Sequence, residues 1–437
     1  MKSVALLSAM AAAAHAGPSK TVPLKPRQVS IEPITATGNA FFRGSERFYV
    51  RGIDYQPGGS AGNVDPLADT RVCMPDIERF RRLGINTIRV YSTDNSLNHD
   101  ECMNALAEAG IYVVLDANNP QYSINREDPH PSYNAVYLQS VFATIDTFAQ
   151  YDNTMAFFSG NEVIHDHKNT TLAARYVKAT DRDMRAYIRA RGYRRIPVGY
   201  SAADVSENRM QTAAYFNCGS DEERSDFFAF NDYSWCSSDF LTAGWDIKVR
   251  NFTGYGIPIF LSEYGCNHNT RNFGELESLM HSNMTSVYSG GLMYEYSMER
   301  NNFGIVEIEG GQENGFTDQT GERRELDEFE AFASALSRAA ACPTADDHWI
   351  VDTTSLPAIP EGALRYFDEG AGEGPGLNGP GSQWASDQAS TGEGGTGGGD
   401  STGNNGQGGQ NAAMRGAMPT VVSGLVVLFT LGAAIAL

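Results

Sequence analysis

Residues 156–162 read AFFSGNE, and residues 257–265 read IPIFLSEYG. Each segment is a short apolar run that turns polar at its carboxyl end, as a buried strand does where it leaves the core. Eight β-branched or aromatic runs of this kind occur along the chain, with helical patterns between them. The predicted strands are 48–55, 87–91, 112–116, 156–159, 196–200, 227–231, 257–261 and 291–294.

Eight strands that alternate with helices predict an α/β fold of the (β/α)8 type, a TIM barrel. An open, doubly wound sheet has the same alternation and remains the alternative. However, no Gly-x-Gly-x-x-Gly or Walker pattern follows any predicted strand, so the usual nucleotide-binding reason for an open sheet is missing.

The composition excludes several classes of protein. The chain has 437 residues, 41% of them hydrophobic, which excludes a wholly disordered or fibrous protein. Its formal net charge of -20 argues against a nucleic-acid partner, because phosphates are bound by clustered Lys and Arg. A neutral substrate fits this charge.

Both ends of the chain indicate secretion. Residues 1–16 have a basic start, a short apolar region and an Ala-x-Ala site, which predict a signal peptide cleaved before Gly17. Residues 412–437 end in an uncharged apolar tail preceded by small residues, which predicts a GPI-attachment signal with Asn411 as the attachment residue. A membrane-spanning C-terminal anchor is the alternative. We therefore expect a cell-surface protein, held in the outer leaflet of the plasma membrane or in the cell wall. The sequons at Asn169, Asn251 and Asn283 are compatible with this route.

Residues 362–411 are predicted to be a flexible Gly/Ser-rich linker. The stretch 369–410 within them contains 16 Gly, no Lys or Arg, and a single aromatic residue, Trp384. Such a composition buries too little apolar surface to fold, so we expect a disordered spacer. Residues 17–361 are then the catalytic domain.

Polar and aromatic residues follow the predicted strands, where the chemistry of a barrel lies. Glu162 and Glu263 follow the fourth and seventh strands and are predicted to face each other across the mouth. Two carboxylates in this arrangement suit glycoside chemistry, with Glu162 as acid/base and Glu263 as nucleophile. The alternative is that each is a solvated loop residue.

Five motifs resemble one family. Residues 159–162 (SGNE) and 262–266 (SEYGC) look like the two catalytic signatures of glycoside hydrolase family 72, the fungal GPI-anchored β-1,3-glucanosyltransferases. Residues 51–59 (RGIDYQPGG), 231–236 (NDYSWC) and 294–297 (YEYS) match as well. The resemblance implies a (β/α)8 fold, a retaining double displacement, and the roles given above for the two glutamates.

The resemblance also implies a set of sugar-binding residues. Asn161 is expected to hold the donor 2-hydroxyl, Tyr91 and Tyr294 to line the donor side, and Asp204 and Arg209 to lie on the acceptor side. A packed core tyrosine and a surface ion pair are the respective alternatives. The other residues expected at the substrate are Gln56, Arg89, Asp116 and Tyr233. Arg89 could instead orient the nucleophile or simply bridge carboxylates inside the barrel.

The six cysteines fit structural use, since no zinc or redox spacing is present. The resemblance implies the disulfides Cys73–Cys102, Cys218–Cys342 and Cys236–Cys266. We expect no cofactor. We also expect no metal site, because His165 and His167 lie in a charged loop. Phe303 stands where the family often has tyrosine, and Cys342 is the last cysteine, as in the subgroup without a Cys-rich carbohydrate-binding module.

The resulting hypothesis is a monomeric retaining β-1,3-glucanosyltransferase. It would cleave internal β-1,3-glucan bonds and join the new reducing end to the non-reducing end of an acceptor glucan. Two alternatives remain: a retaining endo-β-glucanase, which shares the two-Glu chemistry, and a non-catalytic wall-binding protein on the same scaffold.

Overall fold

The computed structural model describes residues 29–310, 319–338, 356–383 and 385. Three short strands form an antiparallel sheet at the start, and eight parallel strands follow. The first three are β1 (Ile34–Thr37), β2 (Ala40–Arg43) and β3 (Glu46–Phe48). The next eight are β4 (Val50–Asp54), β5 (Thr87–Val90), β6 (Tyr112–Asp116), β7 (Thr154–Asn161), β8 (Val198–Ala203), β9 (Phe227–Asp232), β10 (Ile259–Tyr264) and β11 (Tyr288–Met293).

Each of the eight parallel strands pairs with its neighbours in the chain, and β11 pairs with β4. The sheet therefore closes, and the predicted (β/α)8 barrel is confirmed. The helices that follow the strands are α1 (Thr70–Leu83), α2 (Asp100–Glu108), α3 (Pro129–Ser132), α4 (Ala135–Phe148), α5 (Ala174–Ala190), α6 (Arg209–Asn217), α7 (Trp245–Phe252), α8 (Glu275–Leu279), α9 (Ser282–Thr285) and α10 (Asp327–Arg338). Short 3-10 helices span Lys168–Ala173 and Glu361–Ala363.

Local sequence explains where the helices begin and end. Helix α1 starts after Asp69, whose side chain accepts a hydrogen bond from the Arg71 amide, and it ends at Gly84 in the left-handed conformation (φ 71°). Helix α4 starts after Asn134, whose side chain caps the first turn in the same way. Capping places both helices so that their apolar faces bury against the strands.

The sheet β1–β3 closes the amino-terminal end of the barrel. The ring of Phe41 lies 5.8 Å from those of Phe227 and Phe260, which are inside the barrel. Ile34 and Phe48 belong to the same buried cluster. This end is filled by side chains, so the carboxyl ends of the strands form the open face.

A hairpin of β12 (Val306–Ile308) and β13 (Arg323–Glu325) follows β11. Arg323 reaches the buried carboxylate of Asp76 on α1 with two nitrogens, each at 2.8 Å. The same carboxylate accepts hydrogen bonds from Tyr55 and Tyr296. This network ties the hairpin to the first and last barrel strands.

The predicted start of the flexible linker at residue 362 is wrong. Residues 356–383, called the strap below, lie against the barrel and include α11 (Arg365–Glu369). The buried side chains of the strap include Ala363, Tyr366, Ala371 and Leu377. The strap glycines at 370, 372, 376 and 381 have φ between 65° and 83°, a conformation that glycine adopts without strain. Here they make tight turns rather than a spacer.

The strap ends on loops at the open face. The Leu377 amide donates to Asp94 at 3.2 Å, and the Gly376 amide donates to Asn95 at 3.0 Å. The Ser382 amide donates to the Gln121 carbonyl at 3.0 Å. The strap therefore joins the loops that follow β5 and β6.

Two of the three expected disulfides are formed. Cys73–Cys102 joins α1 to α2, and Cys236–Cys266 joins the loops after β9 and β10. The third expected pair involves Cys342, which lies outside the described residues. Cys218 makes no disulfide with a described cysteine.

The asparagines of the three sequons, at positions 169, 251 and 283, are exposed. The signal peptide, Asn411 and the apolar tail lie outside the described residues. Within the described ranges, no helix is both long enough and apolar enough to cross a membrane, and no cluster of His, Cys, Asp and Glu could hold a metal ion.

Candidate active site

Glu162 and Glu263 lie at the open end of the barrel. Glu162 directly follows β7, whereas Glu263 is within β10, which extends one residue beyond it. Glu263 was predicted to lie beyond its strand, and that detail is wrong. The pairing register shifts between Leu261 and Glu263 on β10, and between Phe158 and Asn161 on β7. Such irregularities re-aim side chains and are common beside active sites.

The backbone of Glu162 is held in an unusual conformation. Its φ of 48° lies in the left-handed region, which a residue with a side chain seldom adopts. Its amide donates to the Ser201 carbonyl at 2.8 Å, and its carbonyl accepts from Arg126 at 2.7 Å. These contacts hold the turn that carries the Glu162 carboxylate.

The Glu263 carboxylate accepts hydrogen bonds from three side chains. Arg89 Nη1 donates to Oε1 at 3.1 Å, and the Tyr91 hydroxyl donates to the same oxygen at 2.9 Å. The Tyr233 hydroxyl donates to Oε2. Since both oxygens are engaged and Glu263 is 7% exposed, its carboxylate has one fixed orientation.

Arg89 is completely buried beneath Glu263. Its Nε and Nη2 each lie 3.1 Å from an oxygen of Asp116 in a bidentate pair, while Nη1 serves Glu263. Arg89 and Asp116 were predicted to bind substrate, but both are buried and bonded to each other. Arg89 orients Glu263 and bridges two carboxylates inside the barrel.

Asp54 adds a third carboxylate near Arg89. It is fully buried, and neither of its oxygens has a hydrogen-bond partner within the described residues. Burial raises the pKa of Asp54 well above its ordinary value, although the charge of Arg89 opposes that shift. Burial therefore favours the neutral form of this carboxyl.

Asn231, at the end of β9, connects the two glutamates. Its Nδ2 donates to Glu162 Oε1 at 2.9 Å and to Asn161 Oδ1 at 3.2 Å. Its Oδ1 accepts from Ser262, the residue before Glu263, at 2.8 Å. Asn231 thus bonds to Glu162 directly and to the strand of Glu263 through the preceding residue, Ser262.

Opposing influences act on the pKa of the Glu263 carboxyl. Burial is the largest and raises it, the charge of Glu162 raises it as well, and Arg89, Tyr233 and Tyr91 lower it, so that together they place the pKa of Glu263 at about 7. Burial of Glu263 therefore opposes the ionised form that a nucleophile needs, and the three donors around its carboxylate favour that form.

Three aromatic rings form a surface beside Glu263. The ring centroid of Tyr233 lies 6.0 Å from that of Tyr294 and 5.4 Å from that of Phe303. The centroids of Tyr294 and Phe303 are 5.5 Å apart, and all three pairs of ring planes are steeply inclined. The Tyr294 hydroxyl lies 3.2 Å from Ser60 Oγ. Rings in this arrangement offer apolar faces on which a sugar can stack.

Three of the predicted substrate-binding side chains are engaged elsewhere. Gln56 is 1% exposed, and its amide is occupied by the Val64 carbonyl and by the amides of Tyr91 and Ser92, so its expected contact with sugar stays a prediction. Asp204 and Arg209 form an ion pair with each other.

Asn231 and Ser262 were not predicted as site residues. Both occur in the quoted motifs, at strand ends that the barrel brings together. This position at strand ends was the available sequence signal. Asparagine and serine are common at strand ends, however, and only the closed barrel brings these two residues together beside the two glutamates.

Comparison with known proteins gives consistent matches. The glycoside hydrolase family 72 model, described as Glucanosyltransferase, matches residues 25–330. The 1,3-beta-glucanosyltransferase gel1 of Aspergillus fumigatus is 57% identical over 399 residues, which cover 87% of this chain and 85% of that protein. The 1,3-beta-glucanosyltransferase GAS5 of Saccharomyces cerevisiae is 50% identical over 354 residues, covering 78% and 73%. The structure of Saccharomyces cerevisiae Gas2p in complex with laminaritriose and laminaritetraose matches with a TM-score of 0.65 and 39% identity, covering 72% of this chain and 70% of that one.

Proposed function

The chain belongs to the glucanosyltransferase family, glycoside hydrolase family 72, and on that premise we propose that it elongates β-1,3-glucan by a retaining double displacement. It cleaves an internal β-1,3 bond of a donor glucan and joins the new reducing end to the non-reducing end of an acceptor. The observation that carries this proposal is the pair Glu162 and Glu263 at the barrel mouth, where Asn231 bonds to Glu162 and to Ser262, the residue before Glu263.

The contacts of the two glutamates support different roles. Glu263 accepts three hydrogen bonds, one of them from a guanidinium, which favours its ionised form and aims it as a nucleophile. Glu162 accepts a hydrogen bond from Asn231 and is only partly buried, so a glycosidic oxygen can reach its carboxyl and we assign it as the acid/base. After the first fragment leaves, Glu162 removes the proton from the attacking hydroxyl.

The substrate-binding roles follow from position. Asn161 lies beside Glu162, where its amide can meet the hydroxyl next to the reacting carbon. Tyr91, Tyr233 and Tyr294 surround Glu263 and offer hydroxyls and ring faces to the donor sugars. Phe303 adds a ring without a hydroxyl, so stacking is kept there and one hydrogen bond to sugar is lost.

Hydrolysis is the competing outcome, because the same glycosyl-enzyme can react with water. The test uses a defined β-1,3-gluco-oligosaccharide, the secreted chain, and mass-resolved products. We expect products longer than the starting sugar, and their loss in Glu162→Gln and Glu263→Gln. Only shorter products would indicate a hydrolase, and an unchanged sugar would favour a wall-binding protein.

We propose that the mature protein is a monomer that begins at Gly17 and is GPI-anchored at Asn411 on the cell surface. The apolar tail after a small-residue triplet supports this proposal. Phosphatidylinositol-specific phospholipase C is expected to release the protein from intact membranes. A protein that stays bound after this treatment, but dissolves in detergent, would favour the membrane-spanning anchor.

A further inference from the structure

Helix α7 carries a buried lysine that the proposed reaction does not use. Lys248 is 8% exposed, and its ammonium donates to Asp204 at 2.9 Å, to Ser234 Oγ at 3.3 Å, and to Asp232. Arg209 also donates to Asp204, so two cations face two carboxylates. A buried ammonium is tolerated only where counter-charges and hydrogen bonds replace its water.

The turn after β9 is fixed on both sides of Tyr233 by this helix. Before Tyr233, the carboxylate of Asp232 is bound by Lys248. After it, the ring of Trp235 stacks on Trp245, with centroids 4.7 Å apart and planes inclined by 14°. Since Trp245 and Lys248 are three residues apart, they share one face of α7 and hold the turn together.

Tyr233 itself projects away from the helix. Its side chain is 38% exposed, and its hydroxyl donates to Glu263. We infer that Lys248 is a positioning residue for the reaction, because it ties Asp232 to α7 and thereby sets the place of the Tyr233 hydroxyl against the nucleophile. The inference rests on the proposed function.

Loss of the Lys248 charge has a defined consequence. Asp232 would lose its ion pair beside Asp204, to which Arg209 alone would remain bonded, and the repulsion of the two carboxylates would displace the turn. The hydrogen bond from Tyr233 favours the ionised form of Glu263, so its loss raises the pKa of Glu263. The other titratable or charged groups that face Glu263 are Asp54 on β4, Arg89 and Tyr91 at the end of β5, Glu162 after β7, and Tyr294 and Glu295 after β11.

The experiment compares Lys248→Met, Lys248→Arg and a matched control on the same helix, Arg250→Met, which removes an exposed ion pair with Asp246. The rate of cleavage of a defined β-1,3-gluco-oligosaccharide is measured against pH. We expect Lys248→Met to lower kcat about tenfold or more with little change in KM, and to move the acidic limb of kcat/KM up by about one pH unit. Lys248→Arg and Arg250→Met should stay within about threefold of the wild type.

A double-mutant cycle separates positioning from general damage. In a Tyr233→Phe background, Lys248→Met should cost less than about twofold, because the hydroxyl that it positions is already gone. Effects that multiply, or an acidic limb that does not move, would overturn the inference. If Lys248→Met does not fold, the double variant Lys248→Met with Asp232→Asn replaces it in the cycle, because this variant lacks the unpaired negative charge of Asp232.

The two proposals fail in different ways. A wild-type protein that leaves the oligosaccharide unchanged contradicts the proposed function. An active wild type together with a Lys248→Met variant that behaves like Arg250→Met contradicts the role of Lys248 alone.

Discussion

Replacement of Glu263 by glutamine is expected to stabilise the fold at alkaline pH while it stops the reaction. Burial raises the pKa of Glu263 to about 7, from an ordinary value of 4.5. The folded state therefore holds this proton more tightly than the unfolded state does. The stability linked to it is fully present below pH 4.5 and is lost as the pH rises through about 7. The difference of about 2.5 between the two pKa values corresponds to a loss of about 3 kcal/mol in the free energy of unfolding above pH 7.

Urea unfolding at pH 8 and pH 4 measures this effect. At pH 8 the free energy of unfolding of Glu263→Gln should exceed that of the wild type by about 3 kcal/mol, because the amide cannot ionise. At pH 4 the two proteins should agree to within about 0.5 kcal/mol, since the wild-type carboxyl is then protonated. Glu108→Gln, an exposed change on α2, is the control and should have no effect at either pH. Equal stability of Glu263→Gln and wild type at pH 8 would refute the reasoning.

Three further outcomes are expected. Tyr91→Phe removes a 2.9 Å hydrogen bond to the Glu263 carboxylate, so the acidic limb of kcat/KM should move up by about one pH unit; a pH–rate profile with an unmoved limb would contradict this. Arg89→Lys removes the planar fork that bonds Asp116 with two nitrogens while a third bonds Glu263, and it should lower kcat about 100-fold in steady-state kinetics. A loss of less than about threefold would show that the bidentate geometry is unnecessary. A chain truncated after Glu361 loses the buried side chains of the strap, so it should unfold at a lower temperature than a chain truncated after Ala385. Equal midpoints of the two proteins in thermal unfolding scans would contradict this prediction.

The barrel was predictable because its signal is local. A parallel strand buried on both faces is an apolar run of four to eight residues, and each such run in this chain became a barrel strand. The two glutamates were predictable for a related reason: parallel strands end at one face, so polar residues after separate runs must meet there. The exact end of β10 was not predictable, since Glu263 continues the strand through an irregular register.

The contacts of the strap and of Gln56 depend on tertiary structure. A glycine-rich segment has the composition of a spacer whether its glycines are mobile or occupy tight turns, and only contacts such as Leu377 to Asp94 distinguish the two. Gln56 follows a strand in a family motif, as a sugar ligand would. Its amide is nevertheless occupied by the backbone of two loops.

The roles of Arg89 and Asp204 were left as alternatives for a similar reason. A charged residue at a strand end fits both a substrate contact and an internal ion pair, and sequence spacing is the same in each case. The completed barrel buries Arg89 between Asp116 and Glu263 and pairs Asp204 with Arg209, and the acceptor-side role of Asp204 and Arg209 stays a prediction.

The most direct test of the double displacement is to trap its covalent intermediate. A β-1,3-gluco-oligosaccharyl donor with fluorine at C2 of the reacting sugar and a fluoride leaving group at C1 slows the second step, so the glycosyl-enzyme accumulates. After digestion, mass spectrometry of the peptides should find the added oligosaccharide on the peptide that contains Glu263, and on none in the Glu263→Gln variant. A label on another residue, or turnover without any labelled peptide and with inverted products, would contradict the account.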